Sequence, residues 1–366
     1  IDNIILVMNK SYLEQLDVFR ALAALSVCAV HFSYNSIFHI YFKQALFVQF
    51  FFTLSGFVIY LNYNNQKFDI SKIKNFMIKR FFRLYPLHLF FLFFFVVIEF
   101  IKFFLLKNYG LEANNTPFQL NNLKNFFLHL FFLQHYADKY AFNGPAWSIS
   151  VEMFLYFTFS IMIFLNKKYF LIIPIFFIIL FVLFLTDTYG EGYYHGAFFS
   201  GLYSFSIGCV FCHIYLKNKN FFKSKIYNIF YYVFLFIFLA ELFGYKILFK
   251  SNYSFIYSIF FGLVIYFSCF LNKTYFLYKI LYNNFFIFLG KISYSIYLGH
   301  LLVFYILNNF LRFIIQYPTE TSLDGKIFLK LSKLEANSFT LLAYILTILF
   351  ACFTYKYIEN KFYKKI

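Results

Sequence analysis

The chain has 366 residues, of which 62% are hydrophobic and 13% charged, and its mean hydropathy is +0.69. A soluble domain carries about 25% charged residues, so lipid is the expected solvent. The net charge of +17 would point to nucleic acid in a soluble protein. Here the Lys and Arg residues sit in short connections between apolar runs, which is the pattern of membrane topology, and no nucleic-acid partner is expected.

A spanning helix needs about 20 apolar residues at 1.5 Å rise each. Ten segments qualify, at roughly 16–38, 43–62, 82–106, 146–166, 169–186, 196–216, 226–247, 253–271, 284–311 and 339–357. The first begins with the polar cluster Asp17 to Arg20 and has no small-residue cleavage site, so it reads as a retained helix. An eleventh apolar stretch, Leu123 to Tyr136, carries His129, Gln134 and His135 and is too short to span, so it reads as a re-entrant or interfacial helix. With ten spans, Lys67, Lys72, Lys74, Lys79, Arg80 and Arg83 collect on the same side as Lys167, Lys168, Lys217, Lys219, Lys223, Lys225, Lys273 and Lys279. Lys361, Lys364 and Lys365 of the tail join them. The connection from Asp187 to His195, on the other side, has two acids and no Lys or Arg. The positive-inside rule then predicts an all-α integral membrane protein with both termini in the cytoplasm. Residues 1–366 read as one membrane domain, without internal repeat or appended soluble domain. Two long outside loops, about 107–145 and 312–338, are candidates for function.

Ionisable groups inside membrane helices are functional hypotheses by default. Arg20 and His31 are eleven residues apart, three turns at 3.6 per turn, so on a continuous helix they share a face at different depths. Arg20 as a lipid-phosphate anchor and His31 as an interhelical hydrogen-bonder is the plainer alternative. Ser55 and Gly56, within Phe51 to Phe57, permit close helix packing. Arg80 and Arg83, three apart before Pro86, project on one face and suit a phosphate-bearing ligand, or serve as an ordinary positive-inside anchor. Trp147, the only Trp, opens the segment Trp147-Ser148-Ile149-Ser150-Val151-Glu152; it suits an interfacial belt, whereas Glu152 is harder to explain structurally. His300 lies well inside the ninth helix, three residues after Tyr297, with structural and catalytic readings both open.

The five cysteines fall in apolar segments and read as small buried side chains, not a disulfide framework. Cys209-Val210-Phe211-Cys212-His213 matches the pattern of covalent haem attachment, but its place inside a helix near the cytoplasmic face argues against haem, and no metal site is expected.

Taken together, Leu16-Asp17-Val18-Phe19-Arg20 through His31, Phe51 to Phe57, the Arg80 and Arg83 pair with Pro86, Trp147 to Glu152, and Ser293 to His300 resemble the acyltransferase type 3 family of bacterial membrane O-acyltransferases. The order of the motifs is the family's, and they span nearly the whole chain. Departures fall at Ala21, Phe47 and Gln49 and leave Arg20 and His31 untouched. The resemblance implies a multi-pass protein of the inner (cytoplasmic) membrane. It implies acyl-CoA, usually acetyl-CoA, as co-substrate, no tightly bound cofactor, and a cell-surface or lipid-linked glycan as acceptor. On that basis His31 and Glu152 are the expected catalytic residues, with His31 as base or acyl carrier. Arg20, Arg80 and Arg83 are expected to hold the CoA phosphates, and Trp147, Ser150, Tyr297 and His300 to line the substrate path. A transporter or flippase for a lipid-linked sugar is the alternative.

Overall fold

The computed structural model describes residues 13–29, 31, 36–37, 44–64, 66, 69–138, 141–165, 171–187, 193–218, 225–242, 254–270, 282–322 and 325–363. About 82% of the described residues are helical. Its main helices are α1 (Gln15–Ala29), α2 (Gln44–Tyr63), α3 (Ile70–Tyr109), α4 (Leu123–Leu130), α5 (Trp147–Leu165), α6 (Ile172–Asp187), α7 (Tyr193–Asn218), α8 (Lys225–Leu242), α9 (Ser254–Ser268), α10 (Asn284–Lys291), α11 (Ser293–Asn309) and α12 (Lys333–Thr354). Among the described residues five helical stretches are long and apolar enough to cross a membrane: Ile70–Tyr109, Gly144–Leu165, Phe198–Asn218, Ser293–Ile314 and Lys333–Phe362. Four further expected spans correspond to shorter apolar helices, Phe47–Tyr63, Ile172–Val182, Tyr227–Glu241 and Ile256–Ser268. Residues 188–192 of the acidic connection, the basic connections at 166–170, 219–224 and 271–281, and Lys67, Lys364 and Lys365 lie outside the described residues.

Four local features depart from the sequence expectations. The first helix stops at Ala29, and His31 sits in the turn that follows, its N–H donating to Cys28 O at 3.1 Å. The face shared by Arg20 and His31 therefore does not extend to His31. The third helix starts at Ile70 rather than near residue 82, because the Asp69 carboxylate accepts from Lys72 N at 2.8 Å and caps it. Arg80 and Arg83 thus lie within one continuous helix of 40 residues, about 60 Å long, that carries Pro86 in its interior. The ninth predicted span is two helices, α10 and α11, interrupted at Ile292. The all-α expectation also misses a small antiparallel hairpin, β1 (Thr319–Thr321) with β2 (Ile327–Leu329). Gly325, at φ +78°, supplies the left-handed turn residue that the hairpin needs. The short apolar stretch at Leu123 is an eight-residue helix, about 12 Å long and far short of a ~30 Å hydrocarbon core.

Two compact units organise the chain. In the first, residues 1–26, 43–77 and 154–291, helices α2 and α7 pack backbone to backbone. A Cβ built on Gly56 would meet Phe205 O at 2.0 Å, and one on Gly208 would meet Thr53 O at 1.9 Å, so each helix presents a glycine to the other's main chain. Beside this seam Phe19, Phe47, Phe50, Phe238 and Phe261 form a buried aromatic cluster. Several polar groups buried in the same unit are paired with one another: Gln49 donates to Ser200 Oγ at 3.2 Å, Ser204 meets Ser258 at 2.7 Å, and Tyr257 donates to Glu241 at 3.1 Å.

In the second unit, residues 27–42, 78–153 and 292–366, α11 packs along α12. A capping box opens α12: Ser332 Oγ accepts from Glu335 N at 3.4 Å while Glu335 accepts from Ser332 N at 2.9 Å. Ser332→Ala is expected to lower stability by about 1 kcal/mol, read as an earlier midpoint in SDS titration. The exposed Ser338→Ala, one turn on, is expected to stay within about 0.5 kcal/mol of the parent.

Candidate active site

Every group that builds the candidate site belongs to the second unit. The turn after α1 carries His31, and α11 carries His300, which is fully buried. Their rings lie 4.8 Å apart, and His300 Nε2 is 3.1 Å from His31 Nδ1.

Partner chemistry assigns the protons in this pair. His300 Nδ1 lies 2.7 Å from Tyr297 O, and His31 Nδ1 lies 2.8 Å from Val27 O. A carbonyl oxygen can only accept, so both Nδ1 atoms carry hydrogen. Neutral His300 then has its lone pair on Nε2 and accepts from His31. The His31 Nδ1–H is shared between Val27 O and His300 Nε2. This leaves Nε2 of neutral His31 as the unprotonated nitrogen, the form required of a base or a nucleophile.

The His31 ring lines a cavity of about 350 Å³, within the usual size range of small-molecule sites. The remaining wall comes from the end of α3, the two long loops and the end of α11, including Lys102, Asn114, Tyr305, Asn309 and Arg312. Asn114 pins the hairpin to the first loop by donating to Ile327 O and accepting from Ile327 N, both at 2.9 Å. Glu99 anchors the same loop, accepting from Phe118 N at 2.7 Å, Asn121 at 2.6 Å and Lys102 at 2.7 Å. The functional interest of the long loops was legible from their length. The particular residues were not, because nothing in their local pattern separates Asn114 or Arg312 from ordinary loop polar groups.

The other expected site residues are distributed as follows. Tyr297 lies one turn before His300, with ring centroids 6.2 Å apart. Its hydroxyl donates to Pro145 O at 2.9 Å and meets Ser148 Oγ at 2.9 Å, locking α11 to the entry of α5. Trp147 opens α5 and lies 6.3 Å from the His135 ring. Ser150 turns back to donate to Trp147 O at 2.9 Å. Glu152, five residues after Trp147 on α5, is partly buried. Arg83 lies within electrostatic reach of Glu359, whose carboxylate accepts from Ser295 at 2.8 Å. Arg20, in the first unit, is ion-paired with Asp17 at 2.6 Å. The residues lining the His31 cavity do not include Arg20, Arg80, Arg83, Trp147, Ser150, Glu152 or Tyr297.

A second histidine pair was missed by the sequence reading. His88 Nε2 donates to His129 O at 2.9 Å, and the two rings stack at 5.9 Å. Burial, then the neighbouring His88, pushes the His129 imidazole down to about 3, so it is neutral at physiological pH. The Cys209 to His213 motif lies inside α7, with both cysteines buried and His213 Nδ1 2.7 Å from the Tyr60 hydroxyl. Among the described residues no group of three or more His, Cys, Asp or Glu side chains could hold a metal ion.

No curated protein and no solved structure matches the chain. The acyltransferase domain model of the type 3 family matches residues 13–356, which takes in both histidines, all three arginines and the loops of the cavity. Long apolar helices, five of them long enough to cross a membrane among the described residues, suit that assignment. The chain belongs to the acyltransferase type 3 family, a family of membrane acyltransferases.

Proposed function

We propose that this protein moves an acyl group, acetyl in the first instance, from acyl-CoA to a hydroxyl of a cell-surface or lipid-linked glycan at the inner membrane. The observation that supports the proposal is the His31–His300 pair, whose contacts favour His31 with Nδ1 protonated and Nε2 unprotonated, beside a cavity that His31 lines.

In the proposed step the acceptor O–H gives its proton to His31 Nε2 as its oxygen bonds to the thioester carbonyl carbon. The carbon–sulfur bond breaks, and the departing thiolate takes the proton back from His31. The same lone pair also suits transient acylation of His31 itself. Arg80 and Arg83, three apart on α3, are the proposed phosphate contacts for CoA. Glu152 is the proposed group that orients the acceptor.

The test supplies radiolabelled acetyl-CoA to membranes containing the protein and follows label into the glycan fraction. Label that requires both the protein and acetyl-CoA supports the proposal. Movement of labelled lipid-linked saccharide across vesicles, with no acyl label on it, would replace the proposal with transport.

A further inference from the structure

The cavity beside His31 has an unequal distribution of charge. Lys102 is neutralised by Glu99 at 2.7 Å, and that carboxylate is itself satisfied by Phe118 N and Asn121. Arg312 differs. It lies on the π-helical turn Phe310–Ile314 that continues α11, a distortion frequent at functional positions. One guanidinium nitrogen donates to Glu112 O at 3.3 Å, and the group lies 4.6 Å over the Phe313 ring. Both contacts are neutral, and among the described residues Arg312 forms no ion pair. The Asn115 and Asn308 amides, in the same wall, make no hydrogen bond among the described residues. Among the described residues the one carboxylate of the lining, Glu320, lies on the exposed strand of the hairpin, where solvent screens it.

We infer that this cavity is the acceptor's binding site and selects an acceptor that carries an oxyanion, held by the Arg312 guanidinium. The inference rests on the acyl-transfer reading of His31 and adds the chemical class of the acceptor. A planar, permanently charged fork whose present partners are neutral is suited to bidentate pairing with a carboxylate or phosphate oxygen pair. The Asn115 and Asn308 amides supply donors and acceptors for sugar hydroxyls, exchanging water for ligand. Asn114 holds the hairpin wall in place, so the site is preformed.

The experiment uses the purified full chain in nanodiscs and needs no turnover. The rate at which diethyl pyrocarbonate modifies His31, read by mass spectrometry, is measured with three probes. These are a disaccharide ending in glucuronic acid, the same disaccharide carrying a sugar phosphate instead, and the neutral parent disaccharide. At least one anionic probe is expected to protect His31 at about 10–100-fold lower concentration than the neutral one, the span of one hydrogen-bonded charge contact. Which probe protects identifies the oxyanion as carboxylate or phosphate. Arg312→Gln is expected to abolish the preference, Arg312→Lys to keep part of it, and Glu320→Gln to strengthen it. An unchanged His31 modification rate without ligand shows that the variants are folded. Neutral and anionic probes protecting equally in the parent protein would overturn the inference, as would a preference that survives Arg312→Gln. In the acetyl-CoA assay Arg312→Gln is expected to raise KM for an anionic acceptor and spare kcat; a fall in kcat alone would contradict its recognition role. Protection that shows the anionic preference in a protein that transfers no label would retain the site and remove the acyl-transfer reading, so the two fail separately.

Discussion

Replacing His31 by alanine is expected to lower acyl transfer by about 10²–10⁴-fold, the usual contribution of a positioned general base. The measurement is a single-turnover assay at saturating acetyl-CoA, with retention of the fold checked by the SDS-titration midpoint. The loss is expected in kcat, because the Nε2 lone pair acts on the proton in flight and not in ground-state binding. In the proposed mechanism His300 is a positioning residue: its Nε2, 3.1 Å from His31 Nδ1, accepts that N–H and keeps the proton there. His300→Gln can still present an acceptor oxygen and is expected to retain more activity than His300→Phe, which cannot. Equal loss in both variants would show that His300 serves packing alone.

The second large effect belongs to the helix seam. At Gly56 a Cβ would meet Phe205 O at 2.0 Å, and the obstruction is backbone on a packed helix rather than the end of a flexible side chain. Gly56→Leu is therefore expected to destabilise by about 3 kcal/mol or more, since α2 and α7 must part to admit it. Gly208→Val is expected to act alike, because Thr53 O lies 1.9 Å from its built Cβ. Gly110→Ala is the control: its φ of +63° strains an alanine, but open space surrounds it, so about 1–2 kcal/mol is expected. SDS titration of the purified variants checks the order. A Gly56→Leu protein as stable as the parent would show that the seam is looser than the backbone distances imply.

Much of this architecture was legible because burial in lipid demands long apolar runs, and each of the ten runs contains a helix. The ends of helices were less legible. Val30, His31 and Phe32 continue the apolar pattern of the first helix without Gly or Pro, so nothing local announced the turn that places His31 against His300. The start of α3 was announced by Asp69, but the basic residues after it diluted the hydrophobic signal and made the segment read as a loop. The hairpin had a local signal too, Asp324-Gly325 between Thr-Glu-Thr and Ile-Phe-Leu, although in a long loop it competes with a helix-rich background. At the candidate site the two histidines were individually visible as ionisable groups in apolar surroundings. Their pairing was not, since it joins residues 269 apart in sequence. Ser55-Gly56 signalled close packing in the same one-sided way: Gly208, its counterpart on α7, is known only from the fold.

In the proposed mechanism His31 presents Nε2 as the base while Nδ1 carries the proton. Solid-state ¹⁵N NMR of histidine-labelled protein in lipid, at a pH where the ring is neutral, reads this tautomer, with the His31 resonances assigned by difference against His31→Gln. The structure predicts a protonated, pyrrole-type Nδ1 and an unprotonated, pyridine-type Nε2 for His31. The opposite tautomer would contradict the assignment of His31 as the base facing the acceptor.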